Sequence, residues 1–386
     1  MNLRNIVYAF AIACAVAASA FEVSAAPAAE LAIKYGTLIA EKPATAEEIA
    51  AVKAAYLAEP KHAGSKFSIM LKETADDATL AAAVAAFPEA VEVNVDGKKG
   101  VKSLAAIAPL KATLKKLTAR HFAALDLSPV AGFPLLEKAD FMYSRIDDLS
   151  PLASCPKLKE ISVYSAGVKD FTPLAACPKL ECVVYYGVKA APEVFATLGT
   201  LKNVKKFHGG LTSMTSLAWL AGVPQAEELK IFAEKIDDFS PIAGLEKLTY
   251  LRAWNMKGDN LSTTLGDLSF LKNAKALKVL ELPGSEYTNL EALSGLTSLE
   301  RIDLSDSDSP IDFAFAKNMS KLKSIDVIGR RGKNAKKREF KNILMLGDCP
   351  KLTNIAISKG ALTAEELDAL TKAIQPHARL VKITER

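Results

Sequence analysis

The sequence predicts an α/β solenoid with a parallel β-sheet on its concave face, short helical or irregular segments on its convex side, and helical caps. Two observations support this prediction. An apolar motif recurs along most of the chain, and three of its copies follow the same Ser/Thr-Pro phrase. A unit of one strand and one turn cannot bury its own apolar side chains, so the units must stack into a continuous core.

The repeated phrase lies at residues 148–158, 170–180 and 238–248. Each copy starts with Asp, places Pro after Ser or Thr, and ends at the leucine that opens an L-x-x-L-x-L-like strand. Proline suits the first turn of a helical segment, where its missing N–H is no loss. We call each repeat a rung. The rungs are mostly 22 residues apart and begin at Leu114, Leu136, Leu158, Leu180, Val204, Ala226, Leu248, Leu277, Leu299, Leu322, Leu352 and Leu380.

This pattern resembles the leucine-rich-repeat family, especially its bacterial internalin-like subclass, whose repeats have a similar length and a D-x-S-P-L-A-x-L-x-x-L phrase. The resemblance covers roughly residues 114–383 and implies a horseshoe-shaped solenoid with a protein partner. The family's asparagine after the strand is absent, which puts the regularity of that turn in question but leaves the stacking argument intact. Its place is held by Ser144, Ala166, Val188, Met256 and Ser307.

The N-terminal segment, residues 1–25, has the layout of a secretory signal peptide. A basic residue, Arg4, precedes an apolar run, and small residues follow the run, so we expect cleavage near Ala25 or Ala26. Lipoprotein processing at Cys14 is the alternative, although the leucine-like residue usual three positions before such a cysteine is replaced by Ala11. The mature protein is therefore predicted to be periplasmic or secreted, without stable insertion in a membrane.

Residues 26–112 are predicted to form an N-terminal cap and an irregular first rung, and residues 113–386 the solenoid with its C-terminal cap. A capping box at Thr45–Glu48 predicts a helix to about Leu57, and one at Thr363–Glu366 predicts a helix to about Ile374. Between the first helix and the rungs, we expect strands at Phe67–Leu71 and Val91–Val95 around an alanine-rich helix.

The concave face is the predicted binding surface. If the leucine positions face the core, the third, fifth and seventh places of each strand face outward. Aromatic residues recur at the seventh place and supply large contact area, while cations at the fifth place, Lys230 and Arg252, are expected to contact anionic groups. The predicted ligand-binding residues are Met142, Tyr164, Tyr186, His208, Lys230, Phe232, Arg252 and Trp254.

These residues predict a non-catalytic binding protein whose partner is a protein, a peptide or a glycan. The alternative is that the same aromatic residues only stabilise neighbouring strands, in a structural component of the cell envelope without a single ligand.

A basic stretch at residues 330–338 lies in a lengthened repeat. Surface contact with anionic groups is one interpretation, and a solvated loop is the one we favour. A nucleic-acid partner is not expected, because no aromatic residues are interspersed among the cations. The cations of this stretch are Arg330, Arg331, Lys336, Lys337 and Arg338.

The net charge of the whole chain is +5 and comes from charges interspersed along the sequence. It predicts solubility and little else.

The sequence gives little support for an enzyme. The four histidines have no metal-binding spacing, and there is no G-x-S-x-G elbow, phosphate-binding glycine loop or dinucleotide fingerprint, so no cofactor is expected. A hydrolase with Cys182 as nucleophile and His208 as base is the competing hypothesis.

Two further patterns leave alternatives open. Cys155 and Cys177 hold equivalent places in adjacent rungs, where stacked buried thiols are favoured over a disulfide. A run of four aspartates has a spacing compatible with calcium, but it lacks the glycine and distal glutamate of an EF-hand loop, so no metal site is expected. These aspartates are Asp303, Asp306, Asp308 and Asp312.

Overall fold

A computed structural model describes residues 30–164, 167–210, 213–232, 235–254, 263–330, 338–375 and 382–385. Residues 1–29, with the predicted signal peptide and Cys14, lie outside this part of the chain. One sheet of sixteen strands runs through the structure, and its strands follow one another in chain order. The first two strands pair antiparallel, and every later pair in the sheet is parallel.

Short strands form both this sheet and two small paired segments. In chain order they are β1 (Leu31–Lys34), β2 (Thr37–Ala40), β3 (Ser68–Leu71), β4 (Glu92–Asp96), β5 (Lys116–Arg120), β6 (Lys138–Phe141), β7 (Glu160–Tyr164), β8 (Cys182–Tyr186), β9 (Lys206–Gly210), β10 (Glu228–Phe232), β11 (Tyr250–Trp254), β12 (Thr263–Asp267), β13 (Val279–Glu281), β14 (Ser285–Thr288), β15 (Arg301–Asp303), β16 (Ile311–Asp312), β17 (Ser324–Asp326), β18 (Phe340–Lys341), β19 (Asn354–Ile357) and β20 (Lys382–Glu385). Outside the main sheet, β12 pairs with β14 and β16 with β18.

Helical segments connect many of the described strands. The α-helices are α1 (Ala46–Leu57), α2 (Asp77–Ala86), α3 (Pro192–Ala196) and α4 (Ala364–Ile374). Short 3₁₀ segments lie at Pro60–His62, Ala105–Ala112, Ser128–Val130, Ser150–Ser154, Thr172–Ala176, Thr197–Thr200, Ala218–Gly222, Ser240–Gly244, Leu268–Leu271, Leu290–Leu293, Phe313–Asn318 and Ile343–Asp348. No helix within the described ranges is long and apolar enough to cross a membrane.

The interior is filled by the residues of the repeated apolar motif. All of the predicted rung-opening residues from Leu114 to Leu352 are buried, and Leu380 lies outside the described residues. Along β7 and β8 the side chains alternate between buried and half-buried, as expected where one face of the sheet packs on the core. The predicted rungs and the parallel sheet are therefore confirmed.

Both predicted capping boxes are present. Thr45 Oγ1 accepts a hydrogen bond from Glu48 N, and the Glu48 side chain accepts one in return from Thr45 N. The helix α1 starts after this capping box and ends at Leu57, as predicted. The same exchange between Thr363 and Glu366 opens α4. Of the two expected N-terminal strands, each begins one residue later than predicted. The hairpin of β1 and β2, closed by Tyr35 in a left-handed conformation, was not predicted.

The aspartate of the repeated phrase starts the convex segment. Its carboxylate accepts a hydrogen bond from the backbone N–H two residues later, at 2.8 Å for Asp126, Asp148 and Asp238. The residue two places later is a serine in all three copies. Hydrogen bonds from its hydroxyl and its backbone N–H hold the pKa of these carboxyl groups below their usual range. The Asp-x-Ser/Thr-Pro phrase is thus the local signal that ends the turn and begins the 3₁₀ segment.

Serine takes over the bridging role of the missing asparagine. The fully buried Ser144 hydroxyl accepts a hydrogen bond from Phe122 N at 3.1 Å and donates one to Ala119 O at 2.9 Å, so it joins two rungs. Ser213 bridges Ala190 N and O of the preceding rung in the same way. At these two turns, a serine hydroxyl supplies the cross-rung hydrogen bonds. Of the places named above, Ala166 and Met256 lie outside the described residues.

The repeated cysteines are buried free thiols. Cys155 Sγ donates to Val130 O at 3.5 Å, and Cys177 Sγ donates to Leu152 O at 3.2 Å, each contacting the preceding rung. Burial raises the pKa of Cys177 to about 11. The favoured prediction of stacked thiols, rather than a disulfide, agrees with the structure.

We expect Ser144→Ala to lower the free energy of unfolding by about 1–3 kcal/mol, because it leaves a buried N–H and a buried carbonyl without their partner. Urea denaturation measures this change. The control is Ser162→Ala on the solvent-facing side of β7, which we expect to change stability by less than about 0.5 kcal/mol. Equal stability of both variants would show that the bridge is dispensable.

Candidate functional site

The register of the parallel strands places side chains of adjacent rungs directly beside one another. Tyr164 pairs with Tyr186, which in turn pairs with Gly210. Farther along the sheet, Phe232 pairs with Trp254. The same register aligns the fifth-place residues Val184, His208, Lys230, Arg252 and Glu281 in one row. The predicted columns therefore share one side of the sheet, which we call the concave face.

Four aromatic rings stand on four consecutive rungs, and we call them the aromatic ladder: His121, Tyr143, Tyr164 and Tyr186. The rings of His121 and Tyr143 are nearly parallel, with centroids 5.1 Å apart, and the centroids of Tyr143 and Tyr164 are 4.6 Å apart. The two later rings lie over glycines of the next rung. A Cβ atom built on Gly210 would lie 2.2 Å from the Tyr186 ring, so glycine is the residue that this ring requires.

The first two members of the ladder occupy the eighth place of their rungs, where the chain takes a left-handed conformation. His121 and Tyr143 both have φ of 63°, which is uncommon for residues with bulky side chains. At the equivalent places, Gly187 and Gly284 have φ of 61° and 72°. His121 and Tyr143 were not predicted, because they lie outside the third, fifth and seventh places of the strand pattern. The glycines at the eighth place of two other rungs, Gly187 and Gly284, were the sequence signal that could have drawn attention to this place. The predicted Met142 lies half-buried next to Tyr143.

The predicted aromatic column does not continue as an exposed surface. Phe232 and Trp254 are 4% and 5% exposed, and their rings pack against each other with centroids 6.0 Å apart. The Arg252 guanidinium lies 5.2 Å from the Trp254 ring centroid. The expectation that these two rings line an open groove is wrong, because large side chains on adjacent parallel strands cover one another.

Beyond the ladder, the concave face is basic. Glu228 is contacted by Lys230 at 3.1 Å, His208 at 3.3 Å and Lys206 at 3.4 Å. His208 contributes most to lowering the pKa of Glu228, to about 2, and Lys230 adds to it. Glu228 therefore remains a carboxylate that holds these cations in place.

A second carboxylate, Glu281, lies farther along the sheet and is only 7% exposed. It accepts a hydrogen bond from Tyr250 Oη at 2.6 Å and contacts Arg252 and Arg301, each at 3.3 Å. Lys230 Nζ contacts Glu228 and also lies 4.9 Å from the ring centroid of Tyr250, whose hydroxyl donates to Glu281. The two carboxylates are thus connected through Lys230 and Tyr250. We call this set the basic centre. It comprises Lys206, His208, Lys230, Arg252 and Arg301 around Glu228 and Glu281.

Comparison with known proteins gives fold neighbours but no sequence family. No protein-family model matches the chain, and no curated protein matches it. An internalin from Listeria monocytogenes superposes with a TM-score of 0.54 at 20% identity, covering 75% of this chain and 86% of that one. A leucine-rich-repeat protein of Leptospira interrogans gives 0.51 at 14% identity, covering 89% and 93%. The TLR13–ssRNA13 complex gives 0.50 at 15% identity, covering 82% and 54%.

The chain has an internalin-like leucine-rich-repeat fold. The predicted resemblance and fold class are thereby confirmed.

Within this leucine-rich-repeat solenoid, the end of the basic stretch is buried rather than exposed. Arg338 is 3% exposed and donates hydrogen bonds to Leu304 O at 2.6 Å, Ser309 O at 2.8 Å and Tyr287 Oη. It thereby provides hydrogen-bond donors for two carbonyl oxygens beside the lengthened repeat. Arg338 therefore fits neither interpretation of the basic stretch, because a buried guanidinium is neither a surface contact nor part of a solvated loop.

Arg330, at the other end of the stretch, is paired within the protein. Its guanidinium contacts Glu286 at 2.7 Å and Asp308 at 3.7 Å, so Arg330 has acidic partners within the solenoid under either interpretation. Arg331, Lys336 and Lys337 lie outside the described residues. The sequence analysis treated the whole stretch alike because charge density alone does not reveal which cations have internal partners.

The aspartates considered for calcium serve the turns of the solenoid. Asp303 accepts hydrogen bonds from Ser305 N at 3.0 Å and Ser305 Oγ at 2.6 Å, while Asp312 accepts one from Ala314 N at 2.9 Å. Across the described residues, no three His, Cys, Asp or Glu side chains form a group that could hold a metal ion.

The geometry of Cys182 does not favour a nucleophile. Cys182 pairs with Lys206 in the sheet register, whereas His208 pairs with Val184, so the thiol and the imidazole are not direct neighbours. Burial and the charges of Glu160 and Glu228 raise the pKa of Cys182 to about 12. A thiol in this environment is protonated at neutral pH.

We expect Cys182 in the folded protein to react with iodoacetamide at pH 8 roughly a thousandfold more slowly than an ordinary cysteine, because its thiolate fraction is smaller by about that factor. Mass spectrometry of the labelled peptide measures the rate, and the urea-denatured chain is the control. Equal labelling of folded and denatured chain at pH 8 would restore the hydrolase hypothesis.

Proposed function

We propose that this leucine-rich-repeat protein is an exported, non-catalytic binding protein whose concave face engages a protein, a peptide or a glycan. The observation that carries the proposal is the aromatic ladder, in which four rings on successive rungs lie on one solvent-facing surface. Aromatic surface of this kind favours binding, since flat, rigid rings offer contact area at low entropic cost.

The ladder is arranged as a recognition surface rather than as core packing. Tyr164 and Tyr186 are half-buried, whereas Tyr185, between them in sequence, is fully buried in the interior. At one end, His121 Nδ1 lies 3.0 Å from Asp96 Oδ2. At the other end the basic centre begins. Apolar contacts flanked by charge suit an extended ligand that lies along the solenoid with a defined direction.

The left-handed backbone of His121 and Tyr143 also supports a functional role. Residues with side chains rarely take this conformation, and such strain clusters at functional sites. Glycine, which takes the same conformation without strain, stands at equivalent turns of other rungs.

Export is supported by the signal-peptide layout of residues 1–25. We expect the chain recovered from the periplasm or the medium to begin at residue 26 or 27, which N-terminal sequencing determines. A chain lipidated on Cys14 would instead support the lipoprotein alternative, and an unprocessed chain kept in the cytoplasm would contradict export.

The binding proposal is tested by probing peptide and glycan arrays with the mature protein and with Tyr164→Ala/Tyr186→Ala. Loss of two aromatic contacts of about 1 kcal/mol each should weaken the ligand signal at least tenfold. Tyr35→Asn is the matched control, because Tyr35 is 98% exposed in the β1–β2 turn and lies outside the ladder. Thermal unfolding of each variant verifies that the fold is retained.

A second variant moves a ladder ring without removing it. Gly210→Ala introduces a methyl group where the Tyr186 ring lies, and it should therefore weaken binding of the same ligand. Binding of every ligand with equal affinity to all variants would leave the structural-component alternative as the better account.

A further inference from the structure

The N-terminal end of the main sheet presents the edge of a strand. Among the described residues, β1 is the terminal strand of this sheet and pairs with β2 alone. Glu41 N donates a hydrogen bond to Glu30 O at 2.9 Å, which fixes the residues of β1 that bond to β2. Because bonded pairs alternate in an antiparallel ladder, the N–H and C=O groups of Leu31 and Ile33 point away from β2. Such an edge is a template for one more strand.

The turn between β1 and β2 agrees with this hydrogen-bond pattern. Tyr35 and Gly36 have φ of 50° and 77°, and both central residues of a type I′ turn have positive φ. A turn of this type is closed by a hydrogen-bonded pair, here Lys34 with Thr37. Bonding to β2 therefore falls on the even-numbered residues of β1, and the odd-numbered residues are left for the outer edge.

The charges at the two ends of β1 are self-complementary. Glu30 and Lys34 are both exposed, and Ala32 lies midway between them. Glu30 Oε1 contacts Lys42, whereas Lys34 has no acidic partner among the described residues. If a second β1 strand aligns antiparallel about Ala32, Glu30 of each copy lies directly opposite Lys34 of the other.

We propose that two copies of the chain pair through their β1 strands, antiparallel and centred on Ala32, and so form a dimer with one continuous sheet. Leu31 of each copy then exchanges backbone hydrogen bonds with Ile33 of the other, about four bonds in all. Glu30 and Lys34 form the non-hydrogen-bonded pairs, in which Cα atoms are about 4.5 Å apart and side chains lie close together. A two-fold axis closes this contact, so association stops at the dimer.

The helix α1 adds apolar surface at the same end of the solenoid. It lies against β1, and Ile49 is its one buried residue. Ala50 and Ala54 are exposed on its outer side, and Leu57 is 42% exposed. A continuous sheet brings the α1 helices of both copies to the same side of it, where small side chains permit close approach.

The dimer also orients the two concave faces. Ala32 pairs with Ile39, and the register continues this row along the sheet to Ser162 and Val184. Opposed residues of an antiparallel pair point to the same side of a sheet. Both concave faces therefore lie on one side of the dimer, which gives a bivalent surface for a repetitive ligand. The pairing itself does not depend on what the ladder binds.

Sedimentation velocity of the full mature chain from about 1 to about 300 μM tests the pairing. We expect a monomer–dimer equilibrium without larger species. Lys34→Glu places two glutamates opposite each other at both ends of the paired strands, so it should raise the dimer Kd at least tenfold. The matched control is Lys99→Glu, the same change of charge at an exposed residue outside β1.

Mixing two charge variants separates loss of pairing from loss of fold. Glu30→Lys alone also opposes like charges and should weaken the dimer. An equimolar mixture of Glu30→Lys and Lys34→Glu opposes unlike charges at both positions, so it should form a mixed dimer with about the Kd of the unaltered chain. Thermal unfolding of each variant verifies that the fold is retained.

A disulfide across the two-fold axis tests the register. In a Cys182→Ser background, Ala32→Cys should form a disulfide between two copies under mild oxidation, because the two Ala32 residues face each other on the axis. The control is Ile39→Cys on β2, which pairs with Ala32 of its own chain and should stay reduced.

A chain that stays monomeric throughout this concentration range overturns the proposal. A dimer that Lys34→Glu leaves unchanged and that Ala32→Cys does not cross-link also overturns it, because such a dimer uses another surface. Species that grow beyond the dimer would indicate pairing of β1 with β20 of the next copy and contradict the two-fold contact. None of these results bears on the ladder, which the array experiment tests separately.

Discussion

The structure depends on the in-register stacking of parallel strands. Each strand places its apolar residues in the shared interior and its remaining residues on the opposite side, so a residue type repeated at one place becomes a row across the sheet. Interior stacking supplies most of the stability, because no rung can bury its own leucines. The serine bridges and aspartate turns set the geometry between strands, and with it the direction of each outward side chain.

This constraint produces two different surfaces on one face. In the N-terminal half, the eighth-place turn brings His121 and Tyr143 into line with Tyr164 and Tyr186, and glycines provide room for the last two rings. In the middle, bulky seventh-place rings cover each other, and the exposed surface is formed by charged third- and fifth-place residues. An aromatic and a charged surface therefore lie side by side along the solenoid axis.

The features predicted correctly are those encoded by local sequence. The leucine frame and the capping boxes at Thr45 and Thr363 each depend on residues within a few positions of one another. The incorrect expectations concern contacts between distant residues. The burial of Trp254 depends on its neighbours across the sheet, and that of Arg338 depends on carbonyl groups of earlier rungs. The alternation of the strands correctly placed these residues on one side of the sheet, but charge and aromaticity did not reveal which of them remain exposed.

The account is tested most directly by disulfide trapping of the register on the concave face. Directly opposed residues of adjacent parallel strands are about 4.8 Å apart, within the range of a disulfide. In a Cys182→Ser background, we expect Tyr164→Cys/Tyr186→Cys to form an intramolecular disulfide under mild oxidation, and Tyr164→Cys/Tyr185→Cys to remain reduced. A disulfide in the second pair and none in the first would show a one-residue slip, which turns the ladder into the interior and contradicts the account.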